Sequence, residues 1–413
     1  MNILDNKIIR KWGEKLMKYD FESLISRKNV GSSKWNLMKK VNNNIDDNIV
    51  PFSVADMEFK SPPQISEGLK KYIDSSVLGY TEPTEEYYKA ICNWMERRHD
   101  WKIKKEWIIE FPGVVPALFT IVRSLTEEND GVLIMTPVYY PFYKAIEKNK
   151  RNVVSAELVL SHGHYEINFE DFEEKAKLES TKVLILCSPH NPVGRVWTKD
   201  ELNRIGRICI DNNVIMVSDE IHFDLIMPEF KHTVLANISE EFAQNSVICT
   251  APSKTFNLAG LQTSNIIIPN YDIRKKIIRE HRKVYGDYSV LNIFGYKACE
   301  IAYNEGAEWL DELIKVLDEN KKLVENFMEK NLPQIKVINL EGTYLQWLDF
   351  RELENDHLVL EKFMQMEAQL FLDEGYIFGA GGQGFERINI ACPKNILEEA
   401  LYRLLESVKK CYR

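Results

Sequence analysis

Four segments carry side chains whose types could do chemistry together: SPHNPVGRVW (188–197), VSDEIHFDL (217–225), TAPSKTFNLAG (250–260) and FERINIACP (385–393). They supply an amide at Asn191, a carboxylate at Asp219, an imidazole at His222, a hydroxyl beside an amine at Ser253 and Lys254, and a guanidinium at Arg387. Taken singly, most have a plain structural reading. Lys254 reads as a solvated surface lysine, Asp219-Glu220 as a helix-capping turn, Asn191-Pro192 as a turn, His222 as a satisfied buried histidine and Tyr139-Tyr140-Pro141 as core packing. Arg387 resists such a reading, because it interrupts an apolar strand pattern where an unpaired guanidinium is costly. It is the set, in register, that points to a site.

An amine, an acid and an amide so arranged fit pyridoxal phosphate. That cofactor needs a lysine for its Schiff base and an acid opposite the pyridine nitrogen, which keeps the ring an electron sink. Asn191 can hold the ring oxygen. Ser253 and backbone amides at a helix start can hold the phosphate, and Gly113-Val114-Val115-Pro116, opening a helical pattern, offers those amides at Val114 and Val115. An aromatic is wanted on the ring face, and Tyr139-Tyr140 follow an apolar run directly. Two decoys fall away. Gly379-Ala-Gly381-Gly-Gln-Gly384 matches the dinucleotide pattern but is followed by a strand-like FERINI rather than a helix. His162-Gly-His164 has no further nearby metal ligand and reads as a solvated turn.

To bring these turns together the chain needs a sheet whose strands end on one side. Short apolar runs at 132–135, 153–160, 183–187, 214–217, 247–249 and 266–268 alternate with helical patterns. This is the signature of a mostly parallel sheet covered by helices, with ligands at the carboxyl ends of its strands. We expect an α/β protein: a large domain over 61–290, an N-terminal arm and part of a small domain over 1–60, and the remainder of that α+β domain over 291–413. Ser61 reads as an N-cap before two prolines. Thr198-Lys-Asp-Glu201 reads as a capping box. A long helical pattern over 291–330 should break near Gly306, and a further helix is expected over 357–374.

Composition narrows the classes. The 413 residues carry 53 basic and 62 acidic side chains, a net charge of −9, which disfavours non-specific nucleic-acid binding. No apolar run approaches the roughly 18–20 residues that span a bilayer. Seven cysteines without a C-x-x-C pair argue against a zinc site or a disulfide framework. With no secretory pattern at the start, the expected address is cytoplasmic.

The strings VPFSVADMEF, VLGYTEPTEEY, GVVPA, TPVYYPF, SPHNPVGRVW, SDEIHFDLIMP, TAPSKTF, EGTYLQW and EGYIFG resemble the fold-type I pyridoxal-phosphate enzymes. They are most similar to the cystathionine β-lyase-like C–S lyases of the class I/II aminotransferase superfamily. The likeness runs from about residue 26 to the C-terminus. It implies that Lys254 binds the cofactor and shuttles protons, that Asp219 pairs the pyridine nitrogen and that Asn191 holds the ring oxygen. Tyr139 would stack on the ring with Tyr140 near the reacting atoms. Ser253 and the amides of Val114 and Val115 would hold the phosphate, with His222 beside the cofactor. Arg387, with Asn191 and Tyr140 nearby, would grip the substrate carboxylate, bordered by the main chain at Ala55. Tyr80 would reach the phosphate of a second copy, making a homodimer obligatory. The implied reaction is α,β-elimination of an L-cysteine- or L-cystathionine-type substrate to pyruvate, ammonia and a thiol or hydrogen sulfide. Aminotransferases usually carry tyrosine where His222 stands and often arginine where Gln262 stands, and both departures favour elimination. An aminotransferase, or a regulatory binding protein on the same scaffold, stays open as an alternative.

Overall fold

In the computed structural model the described residues are 10–12, 15–46, 48–287 and 291–412. A short hairpin, β1 (Arg10–Trp12) and β2 (Lys15–Met17), precedes the main body. Eight strands follow: β3 (Ile108–Phe111), β4 (Gly131–Thr136), β5 (Asn152–Ser161), β6 (His164–Ile167), β7 (Thr181–Cys187), β8 (Ile215–Asp219), β9 (Ser246–Thr250) and β10 (Ser264–Ile267); the six apolar runs fold as β4, β5, β7, β8, β9 and β10, whereas β3 and β6 match none of them. They form one sheet in the order β3-β10-β9-β8-β7-β4-β5-β6. β4, β5, β7, β8 and β9 run parallel, while β10 and β6 pair antiparallel to their neighbours.

The central strands are apolar at consecutive positions because both faces are covered. Leu133, Met135, Leu184, Leu186 and Met216 join one buried cluster. Their chain neighbours Val132, Ile134, Val183, Ile185 and Val217 join another. The alternation follows the two-residue repeat of a strand. Helices such as Glu85–His99 and Val114–Leu125 supply the covering layers.

A second, antiparallel sheet is built from β11 (Lys336–Val337), β12 (Leu345–Asp349), β13 (Asp373–Glu374) and β14 (Phe385–Asn389), in the order β11-β12-β14-β13. The helical pattern over 291–330 divides at Gly306 into Ile293–Glu305 and Ala307–Asn331. A Cβ there would sit 2.4 Å from Phe256 and 2.6 Å from the Ala302 carbonyl, so only glycine fits. The capping box forms: Thr198 Oγ1 accepts from the Glu201 amide, and Glu201 Oε2 accepts from the Thr198 amide at 2.8 Å.

Two local expectations are corrected. Pro62, not Ser61, takes the N-cap of the helix Pro63–Ser75, and the Ser61 hydroxyl instead donates to the Asn257 carbonyl at 3.2 Å. The helix expected over 357–374 is α-helical only over His357–Lys362, passes through a π-turn at Phe363–Glu367, and gives way to β13. Gln369, at φ 51°, breaks the helical path, and the chain then pairs with β14.

Candidate active site

β7, β8 and β9 end side by side, with Cys187 opposite Asp219 and Asp219 opposite Cys249. The turns that follow these strands therefore face one crevice. A cavity of ≈ 180 Å³ opens there, lined by Ala55, Val114, Val115, Tyr139, Asn191, Asp219, His222, Ser253 and Lys254, nine of the twelve residues expected at the site. The other three lie elsewhere. Tyr140 packs against Tyr139 with ring centroids 5.4 Å apart. Arg387 stands one hydrogen bond behind Asn191. Tyr80 is fully exposed and does not reach the cavity of its own chain.

Lys254 lies in the four-residue helix Pro252–Thr255, directly after β9. Its Nζ donates to the Ala55 carbonyl at 2.6 Å, and Tyr344 Oη donates to the same oxygen at 2.9 Å. Burial disfavours the ammonium and outweighs the nearby Asp56 charge, bringing the amine's pKa down to about 8. Asp219, at the end of β8, is buried and accepts one hydrogen bond from the Ile221 amide at 3.2 Å. Desolvation dominates there too and lifts its pKa to about 7. Its neighbour Glu220 points away and is satisfied by Ser218, His232 and the Leu235 amide.

His222 is held neutral. Burial, reinforced by the Lys254 and Arg387 charges, pushes its pKa far below the ordinary range. Its Nδ1 finds no hydrogen-bond partner among the described residues. Arg387, on β14, is buried; Nη1 donates to Asn191 Oδ1 at 2.7 Å and Nη2 to Asp373 Oδ2 at 2.5 Å. Its Nε has no partner among the described residues. The guanidinium lies over the Phe378 ring, 4.8 Å from the centroid.

These features fit pyridoxal phosphate. Among the described residues, an amine bonded only to a carbonyl and a lone buried acid occupy one cavity with an aromatic ring. Val114 and Val115 begin a twelve-residue helix, where the first amides lack intrahelical acceptors and the dipole favours an anion. Gly113 makes that entry at φ 135°, a conformation other residues rarely adopt. Gln262 and Thr263 also line the cavity.

Several contributors carried no sequence signal. Asp373 sits on a two-residue strand, too short to show a period. Tyr344, although inside the EGTYLQW string, has no role assigned there; its hydroxyl reaches the Ala55 carbonyl and its ring meets His222 edge-on, 5.8 Å between centroids. Cys187 is buried and also lines the cavity, where its sulfur accepts from the Asn191 amide. His162 lies in a turn, and His164 faces Glu341 at 3.3 Å. Among the described residues no group of three His, Cys, Asp or Glu side chains could hold a metal ion.

Comparison with known proteins is consistent across sequence and structure. The family model "Aminotransferase class I and II" matches residues 47–404. Cystathionine beta-lyase PatB of Bacillus subtilis is 40% identical over 385 residues, 93% of this chain and 98% of that protein. Protein MalY of Escherichia coli is 30% identical over 394 residues, 95% of this chain and 99% of that protein. Among solved structures, cystalysin from Treponema denticola, which contains a pyridoxal 5'-phosphate cofactor, superposes with a TM-score of 0.94. It is 52% identical, and the match covers 95% of this chain and 100% of that one.

Proposed function

We infer the reaction from one premise: the chain belongs to the class I and II aminotransferase family, with the fold-type I architecture and pyridoxal 5'-phosphate as cofactor. Within that family it is a carbon–sulfur β-lyase, cleaving L-cystathionine- or L-cysteine-type substrates to pyruvate, ammonia and a thiol or hydrogen sulfide. The observation that carries the reading is a single cavity holding a depressed lysine amine and a lone buried acid, in a chain 40% identical to a cystathionine β-lyase.

When bound, pyridoxal phosphate supplies the electron sink for charge left at the substrate's Cα. The chain supplies the rest. Asp219 would pair the pyridine nitrogen and Asn191 the ring oxygen, with Tyr139 against the ring. Ser253 and the amides of Val114 and Val115 would hold the phosphate at a helix start. Arg387 would meet the substrate carboxylate as a fork, with Asn191 and the Ala55 main chain at its edge and Tyr140 beside the reacting atoms. The Lys254 amine, with a pKa of about 8, holds a usable neutral fraction near pH 7 and takes the Cα proton. His222, neutral, adds no competing positive charge beside it. The thiolate then departs from Cβ, and water completes the release of pyruvate and ammonia.

A homodimer belongs to the same reading. The loop bearing Tyr80 also exposes Val77 (91%) and Leu78 (60%), an apolar face suited to a second copy. Tyr80 would there reach the phosphate in the partner's cavity. A cytoplasmic address is part of this proposal; among the described residues no helix is long and apolar enough to cross a membrane. The test is product analysis of the loaded enzyme with L-cystathionine and L-cysteine. Pyruvate and ammonia equimolar with the thiol or sulfide are expected. A swapped amino acid and 2-oxo acid without pyruvate would make it an aminotransferase instead.

A further inference from the structure

Behind the cavity, Asp224 joins three elements that sequence alone does not connect. Its carboxylate is fully buried. It accepts from Trp94 Nε1 at 3.1 and 3.2 Å, meets His99 Nε2 at 2.8 Å, and accepts from Thr255 Oγ1 at 2.8 Å. Trp94 and His99 lie on the helix Glu85–His99, and the His99 ring stacks on Phe223, 4.2 Å between centroids. Thr255 immediately follows Lys254, in a helix of four residues. A helix that short has no stability of its own and holds its shape only through tertiary bonds. Asp224 lies five residues beyond Asp219, in a turn tightened by the Phe223 amide on the Glu220 carbonyl (3.0 Å) and the Leu225 amide on the His222 carbonyl (2.9 Å). One carboxylate therefore ties the segment that carries the cavity's acid to the segment that carries its amine, and anchors both to the Trp94 helix.

We propose that Asp224 is a positioning residue which, through Thr255, fixes where the Lys254 amine stands relative to Asp219. It does not line the cavity. Its effect is on the turnover step and on capture of the cofactor, not on carboxylate binding, which belongs to Arg387. The inference rests on Lys254 being the cofactor lysine. The two can fail separately, since capture of pyridoxal phosphate by Lys254→Ala tests that reading whatever the Thr255 variants do.

The test uses Thr255→Val, which keeps the shape and deletes the donor, and Thr255→Ser, which restores the donor. Two readouts are taken: the rate at which cofactor-free protein captures added pyridoxal phosphate, followed by absorbance, and kcat against KM for L-cystathionine. Thr255→Val should slow capture about fivefold or more and lower kcat about tenfold, with KM within about twofold of wild type. Thr255→Ser should lie within about twofold of wild type on both readouts. Wild-type capture and kcat in Thr255→Val, or a Thr255→Ser as impaired as Thr255→Val, would overturn the proposal. Should Thr255→Val not fold, Trp94→Phe removes a different donor from the same carboxylate. It should lower kcat at unchanged KM, and unchanged capture and kcat would again overturn it.

Discussion

Two neighbouring regions bury charge and treat it in opposite ways. Behind Ala55, Arg27 forks onto Asp56 at 2.7 and 3.0 Å, and Lys34, almost wholly buried, reaches Glu58 at 2.6 Å and Asp56 at 3.1 Å. Burial pushes the Asp56 pKa up, but hydrogen bonds from Arg27 and the charge of Lys34 outweigh it and hold the carboxyl below its ordinary value. On the other side of Ala55, Lys254 has a carbonyl and Asp219 a single amide. There desolvation wins, and amine and acid are drawn towards neutrality, to about 8 and about 7. Charges that are matched among themselves hold the chain together, whereas charges left poorly matched wait for a ligand.

The largest loss is expected on the unmatched side. Lys254→Ala should lower pyruvate formation on the order of 10³-fold or more, because it removes both the cofactor's anchor and the base. Steady-state assay of the variant loaded with cofactor reads this out. On the matched side, Lys34→Met removes the buried cation nearest Glu58 and leaves Asp56 and Glu58 with the half-buried Arg27 alone. It should cost about 3–5 kcal/mol of stability in denaturant titration. Arg387→Ala should raise KM for L-cystathionine about 10–100-fold with a smaller change in kcat, since it removes charge-assisted bonds to the carboxylate.

The smallest effect sharpens the contrast by its sign. Asp219 has a folded-state pKa of about 7 against an ordinary 3.8, so the empty fold binds its proton more tightly than the unfolded chain does. Stability of the cofactor-free protein therefore falls as pH rises from about 4 to 7 and stays reduced above it. Asp219→Asn removes that cost. Full linkage would be roughly 4 kcal/mol, but the buried Asn amide keeps a desolvation cost of its own, so thermal melts of cofactor-free protein should show a gain of about 1–2 kcal/mol at pH 8, shrinking as pH falls through 7 towards 4. The same variant loses activity, the usual exchange of function for stability at a binding site.

Much of the sheet and of the cavity was legible in the sequence, for a definite reason. Asn191, Asp219 and Lys254 each follow an apolar run within a few residues, and parallel strands deliver such positions to one edge. Arg387 stood out because a guanidinium in an apolar strand needs partners, and Asn191 and Asp373 are those partners. What escaped depends on contacts distant in sequence. Asp373 meets Arg387 only through the β13–β14 pairing. Asp224, although inside a segment singled out at once, resembles any turn acid until Trp94, His99 and Thr255 are seen around it. The region after Lys362 misled because its apolar spacing suits a helix, while the π-turn and the left-handed Gln369 divert the chain into an edge strand.

The most direct test of the central claim is borohydride reduction of the loaded enzyme followed by tryptic mapping. The cofactor mass is expected on a single peptide running from His232 to Arg274, with cleavage lost after the modified Lys254. A label on another lysine, or none at all, would contradict the claim.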